Sequence, residues 1–359
     1  MIETSIQNYL NQKFNSNDSE TVSIALSGGI DSSLVLAIFK KIFPKTKIQA
    51  ISIKFANSLD ETVVAEKIAQ KFDVDHKILF IENYLRDLPK AISIVGLPFW
   101  DLHWFYVARE AQNYSEYLIS GDGGDEIFGG YTFRYKKYLS LVNENTSSLD
   151  KVKSYLSCHE RDWVPDQENI FGEKANFEWQ NIYKLLFPYF DNSLPLLEQV
   201  FLADYNGKLL YNFSVVSKCI NQFFNLTSLT PILNDELISY GTHLQSKNKY
   251  DLKNDLGKIP LRKLIESYNL ESLMSDKKMG FSVSTKNLWD SYGKTICKNF
   301  LSDSRLVRDK WINANWIEKY IDHPDLDIRY VNKFLGLLAF EIWYRIFVTG
   351  EMNSDFKLE

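Results

Sequence analysis

The sequence predicts an α/β fold: a parallel sheet with helices on both faces, followed by a mostly helical second part. Three observations carry this. Between residues 21 and 120, short apolar runs alternate with helical patterns, and that alternation builds strand–helix–strand units with parallel strands. The first run, "TVSIAL", is β-branched and apolar, as in a buried strand. After about residue 135 the alternation stops, and aromatic-rich helical patterns take over. The two parts are expected to divide softly, at 1–135 and 136–359. They should pack closely, because no linker, repeat or low-complexity tract separates them.

Each element follows in order. Ile2, Ile6, Leu10 and Phe14 recur every four residues, a helix stripe that "NSND" (15–18) ends. "TVSIAL" (21–26) is the first strand, "SSLVLAIFKKIF" (32–43) a helix closed by Pro44, and "KIQAISIKF" (47–55) the second strand. "DETVVAEKIAQKF" (60–72) is a helix with Glu66 and Gln70 outward, and "HKILFI" (76–81) is the third strand. "YLRDLPKAISIVG" (84–96) is helical or mixed, "WFYVAREAQNYS" (104–115) helical, and "YLIS" (117–120) the fourth strand. Residues 136–220, 236–270 and 310–349 read as helical, with "FLGLLAFEIWYRIFV" (334–348) the strongest apolar stripe. Ligands of such sheets bind beyond the carboxyl ends of the strands. Two polar loops, after residues 26 and 120, fall there.

Of the 359 residues 45% are apolar and 24% charged, as in an ordinary soluble protein. A formal net charge of −5 argues against a nucleic-acid partner, which would need a basic face. Cys158, Cys219 and Cys297 are scattered, with no spacing for zinc or a disulfide framework, and read as buried free thiols. "MIETSIQNYL" lacks a signal-peptide pattern, and no uncharged apolar stretch reaches ~18 residues. A cytoplasmic location with no membrane partner is expected.

The stretch "IALSGGIDSSLVLAIF" (24–39) places a small polar loop between a strand and a helix. Backbone N–H groups at a helix start, aided by the helix dipole, collect phosphate. Gly28 and Gly29 allow close approach, and Ser27, Ser32 and Ser33 offer hydroxyls. This loop carries neither GK[ST] nor GxGxxG, which excludes a Walker-type loop here. Asp31 would repel phosphate unless a cation stood between them, so it implies Mg²⁺. An N-cap for the next helix would draw on the same residue types. "SGDGGDEIFGGY" (120–131) holds five glycines and three acids in twelve residues. Carboxylates crowded in this way repel one another unless a cation neutralises them. Asp31 and Asp125, at the ends of neighbouring strands, form a natural pair to share Mg²⁺ bound to a nucleotide.

These two motifs resemble those of the asparagine synthetase family, within the wider ATP pyrophosphatases. The family's S-G-G-x-D-S matches Ser27 to Ser32, and its S-G-[DE]-G-x-D-E-x-F-G-G-Y matches Ser120 to Tyr131 at every fixed position. "LDETVVAEKIAQKFDVDH" (59–76), "LPFWD" (97–101) and "KKMGF" (277–281) resemble its D-E…A…A…H, E-P-F-x-D and R-P-K-M-G-F stretches, which draws attention to His76 and Asp101. The resemblance implies a parallel-sheet ATP pyrophosphatase core in which ATP is attacked at its α-phosphate by a substrate carboxylate. Pyrophosphate leaves, and ammonia or an amine then displaces AMP to give an amide. It implies that Ser27, Gly28, Gly29, Asp31, Ser32 and Ser120 hold ATP and pyrophosphate. Leu26, Ile53 and Gly121 would line the adenosine pocket, and Asp31 and Asp125 would hold Mg²⁺. Lys278, with Lys277 its rival, would supply positive charge at the α-phosphate, and Asp122 would position the nitrogen nucleophile or take its proton.

Two departures qualify the resemblance. The chain starts "MIETS", without the family's glutaminase domain and its cysteine nucleophile, so nitrogen is expected as ammonia, from a partner, or as an amine. In "VSKCINQFFNLTSLTPILNDEL" (216–237), Pro231-Ile232-Leu233 keeps the P-x-L anchor, but Lys218, Cys219, Thr227 and Leu229 replace the family's acid–arginine pairs. Arginine clamps carboxylates bidentately and leucine cannot, so the acid is expected to be something other than aspartate. A separate ammonia-supplying or carrier partner is compatible with this. The alternatives are a tRNA-modifying enzyme with the same first loop, and a nucleotide-binding subunit without catalysis.

Overall fold

The computed structural model describes residues 1–14, 21–56, 58, 60, 62–159, 163–274 and 283–359. The strands are β1 (Thr21–Ala25), β2 (Lys47–Phe55), β3 (Asp75–Ile81), β4 (Tyr117–Ile119) and β5 (Thr227–Leu229). They form one sheet in the order β3-β2-β1-β4-β5, and every neighbouring pair is parallel. The first four lie where the sequence places them. β5 was not anticipated: three residues, two of them exposed, carry no strand pattern of their own. Pairing creates it, as Ile119 meets Leu229 in register and the Ser120 N–H donates to the Leu229 carbonyl at 3.0 Å. The second half of the chain thus completes the sheet of the first.

The helices of the first half are α1 (Ile2–Lys13), α2 (Ile30–Ile42), α3 (Thr62–Lys71), α4 (Leu88–Val95), α5 (His103–Ala111) and α6 (Gly124–Phe128). The stretch 84–96 is mixed: only Leu88–Val95 is helical, and Gly96 ends it in the left-handed region at φ 74°. α5 stops at Ala111, short of the expected 115, where the chain turns back and the Ser115 hydroxyl donates to the Tyr117 carbonyl.

Side chains of β1 alternate between two cores. Val22, Ile24 and Leu26 pack with α1, α2 and α3. Ala25, with Ile51 and Ile53 of β2, packs with α4, α5 and the long helix Ile328–Phe347. That helix carries the stripe read at 334–348, and it buries Phe334, Leu335, Leu338 and Ile342 completely. Each such side chain contributes roughly 1.5–3 kcal/mol when removed from water. Cys158 and Cys297 are buried and Cys219 is partly so, all three as free thiols. Among the described residues no helix is long and apolar enough to cross a membrane.

Strand order reverses between β1 and β4: the chain leaves β1 toward β2 and returns to the other side at β4. At such a switch point the two following connections diverge and leave a crevice beyond the strand ends. The two polar loops border it.

Candidate active site

The first loop is braced by its own serines. Gly29 N–H donates to Ser27 Oγ at 3.3 Å, Ser27 N–H donates to Ser32 Oγ at 3.3 Å, and the Ser33 hydroxyl donates to the Gly29 carbonyl at 2.6 Å. Gly28 sits at φ +76°, and a Cβ there would lie 3.0 Å from the Ala65 nitrogen and 3.1 Å from Val64 Cβ of α3. Both the conformation and the approach of α3 therefore demand glycine. Gly29 caps α2 with extended backbone, which leaves the first N–H groups of α2 at the rim.

The second loop lies directly against the first. A Cβ on Gly121 would sit 2.7 Å from both the Asp31 carbonyl carbon and the Ser32 nitrogen, and one on Gly124 would sit 2.1 Å from Asp31 Oδ1. A Cβ on Gly130 would meet Asp125 Oδ1 at 1.7 Å. The glycines of 120–131 are thus what lets Asp31 and Asp125 converge. The loops 27–32 and 120–125 thus meet at the ends of β1 and β4.

The carboxylates meet on a lysine that the sequence reading missed. Lys258 Nζ bonds Asp31 Oδ2 and lies 2.7 Å from Asp125 Oδ1. Burial alone would lower the basicity of Lys258, but the two carboxylates outweigh it and hold it above the ordinary lysine range. Its backbone is left-handed at φ 57°, just before the helix Ile259–Ser267, and its N–H donates to the Phe128 carbonyl at 3.1 Å. Nothing local in "LGKIPLR" marks it, because its partners stand 227 and 133 residues away.

The set also fits a magnesium ion. Two carboxylates from facing glycine loops, beside N–H groups suited to phosphate, are the hard oxygen donors that Mg²⁺ shares with phosphates. Lys258 keeps the pair neutralised in the structure described here.

Other predicted residues fall at graded distances from this centre. Leu26 and Ile53 are both buried at strand ends, but their side chains join opposite cores. Only backbone and strand edges would therefore bring them to one ligand. His76 on β3 lies behind the site: its Nε2 is 2.7 Å from Ser52 Oγ, which donates to the Leu26 carbonyl at 2.5 Å. Burial lowers its basicity, partly offset by Glu66. Asp122 begins the second loop, and burial raises its carboxyl above the usual range against the opposing effects of Ser120 and His103. Asp101 is bonded by His103 Nδ1 and by the Tyr84 hydroxyl, each at 2.8 Å. Lys278 and its rival Lys277 lie outside the described residues. In the altered segment Leu229 is buried in β5 and Lys218 is exposed.

A family model described as asparagine synthase matches residues 16–345. The chain belongs to this family. Its five-stranded parallel sheet agrees with the α/β core expected from the motifs. A glutamine-hydrolysing asparagine synthetase of Bacillus subtilis (strain 168) is 25% identical over 357 residues, covering 89% of this chain and 55% of that protein. The chain spans about half the length of the full-coverage synthetases it matches. An NH(3)-dependent NAD(+) synthetase of Malacoplasma penetrans (strain HF-2) is 30% identical over 161 residues, 42% of this chain and 65% of that protein. Among solved structures, a U34-tRNA thiolase from Methanococcus maripaludis with its [4Fe-4S] cluster aligns over 91% of this chain and 80% of that one. Its TM-score is 0.34 and its identity 13%, a likeness on which nothing rests.

Proposed function

We propose that this chain is an ATP-dependent, AMP-forming carbon–nitrogen ligase that joins a small-molecule carboxylic acid to ammonia or an amine. One observation carries the proposal: Asp31 and Asp125 converge on Lys258 at the switch point of the sheet. Such a cluster suits a polyphosphate rather than a neutral ligand. The N–H groups of 27–32 and the Ser27 and Ser32 hydroxyls would hold the β and γ phosphates, which leave together as pyrophosphate. Asp31 and Asp125 would hold Mg²⁺, which supplies neutralising charge to the phosphates when bound. Lys258, and Lys278 from the motif at 277–281, would add cationic stabilisation as charge builds on the leaving group. Charge aimed in this way often contributes more to rate than any other device in an active site, and losing one donor costs roughly 10²–10³ in rate. The backbone of Leu26, Ile53 and Gly121 would border the adenosine.

Asp122, in the same loop as Asp125, would position the nitrogen nucleophile or take its proton. The acid would differ from aspartate, because the segment 216–237 offers Leu229 in the sheet and exposed Lys218 where arginine clamps would be needed. Nitrogen would come as ammonia, free or from a partner, or as an amine on a second substrate.

ATP–pyrophosphate exchange tests this, with purified protein, Mg²⁺ and a panel of carboxylic acids including aspartate. Exchange that depends on one acid, and falls at least 100-fold in Asp125→Asn, is the expected result. Exchange with aspartate alone would refute the specificity proposed here. Bound ATP with no exchange for any acid, with or without ammonium, would overturn the ligase reading.

A further inference from the structure

The backbone of Lys258 is pinned on every side. Its N–H donates to the Phe128 carbonyl, and its own carbonyl accepts the Arg262 N–H at 2.9 Å. The next N–H, of Ile259, donates to the Lys249 carbonyl at 3.1 Å. Gly257 presses on the second loop, where a Cβ would lie 2.1 Å from the Gly129 carbonyl oxygen. The helix that follows, Ile259–Ser267, packs on both α2 and α6, the helices that continue from the two loops. The root of the side chain is thus fixed relative to both carboxylates, and only its methylene chain can carry the ammonium elsewhere.

That ammonium stands between the carboxylates. Nζ bonds Asp31 Oδ2 and is 2.7 Å from Asp125 Oδ1. The side chain passes Gly130, where a Cβ would lie 2.5 Å from Lys258 Cε, and it keeps only 9% of its surface. A magnesium ion takes its oxygens at about 2.0–2.1 Å, so an ion bridging this pair would need the space that Nζ holds. The two cations compete for the same oxygens. An ammonium displaced by a bare ion would lose its counter-charges in a buried place, which is costly. Displaced beside a polyphosphate, it meets phosphate oxygens instead.

We propose that Lys258 makes metal binding conditional on nucleotide. It holds the Asp31–Asp125 pair against a free divalent ion and yields the pair only when a polyphosphate arrives to accept its ammonium. This deepens the ligase reading and rests on its assignment of Mg²⁺ and ATP to the crevice. The coupling is reciprocal, so the chain selects the metal–nucleotide complex over either component alone. Lys258 would therefore act twice, first as the counter-ion of the carboxylates and then as a contact to phosphate.

The test measures binding, with no acid present. Mn²⁺, titrated without nucleotide and followed by electron paramagnetic resonance, stands in for Mg²⁺, and calorimetry measures the affinity for ATP with Mg²⁺. In Lys258→Met, Mn²⁺ is expected to bind at least about tenfold more tightly than in wild type, because a positive charge has left its site. ATP with Mg²⁺ is expected to bind at least about tenfold more weakly, because a phosphate contact is lost. Adding Asp125→Asn to the variant removes the gained Mn²⁺ affinity. Lys258→Gln carries the same test where the methionine variant does not fold. A merely structural lysine would lower both affinities together, and that result would overturn the proposal. Unchanged Mn²⁺ affinity would overturn it too, as would a gain that survives Asp125→Asn. A wild-type protein that binds no ATP with Mg²⁺ would bring down the ligase reading and this inference with it. One that binds ATP with Mg²⁺ yet exchanges pyrophosphate with no acid would bring down the ligase reading alone.

Discussion

At the residue scale the site depends on missing atoms as much as on charges. Gly121 has no left-handed backbone to explain it, and its need is steric. A Cβ there would lie 2.7 Å from two backbone atoms of the first loop, which cannot swing aside as a side chain can. Gly121→Ala is expected to destabilise the fold by about 1–3 kcal/mol and to weaken ATP binding at least tenfold by separating Asp31 from Asp125. Thermal unfolding and an ATP titration would check both. Wild-type affinity in the variant would show that the loops tolerate separation. Lys249 makes a different demand. It is 2% exposed, stacks over Phe201 at 4.7 Å, and borders Gly129 of the same loop. Burial lowers its pKa to about 8, only partly offset by Glu198. Below pH 8 the ammonium is charged in both folded and unfolded chains and carries its full burial cost. Between about 8 and the unfolded value the unfolded chain binds more protons, so stability rises with pH, by a total on the order of 3 kcal/mol. Lys249→Met should flatten that rise relative to wild type in denaturant unfolding at pH 7.5 and 10. Parallel curves would place the amine in contact with water.

At the scale of elements, one carboxylate ties two helices of the second half together. Glu341 lies within the helix Ile328–Phe347 and has no exposed surface. It accepts the Ser304 hydroxyl at 2.6 Å, the N–H groups of Arg305 at 2.8 Å and Leu306 at 3.1 Å, and Arg345 Nε at 2.6 Å. The orphan donors at the start of the helix Arg305–Arg308 are therefore satisfied by a side chain from a neighbouring element. Glu341→Ala strands several buried donors and a guanidinium at once, and should cost about 3 kcal/mol. Chemical denaturation would measure it, and a loss under about 1 kcal/mol would mean that water takes the place of the carboxylate. Such a link gives no periodic signal, since a glutamate inside an apolar stripe looks like an interruption of it.

At the scale of the molecule, the two parts of the chain share their load. The core on one sheet face joins Ile51 and Ile53 of β2 to Phe334 and Leu338 of the long C-terminal helix. The second half also supplies β5 and Lys258. The crevice is completed by pieces from residues 27–32, 120–125 and 258.

The sequence by itself determined the first four strands, the helices between them, both glycine loops and the pairing of Asp31 with Asp125. These are local facts: strand and helix periodicity, and glycines beside acids, leave their mark within ten or twenty residues. What only the tertiary structure decided is what those acids meet. β5 exists because β4 offers it a ladder, and Lys258 balances two charges far away in the chain. Each depends on bringing distant segments together, and a charge or a three-residue strand carries no local pattern that announces its partner.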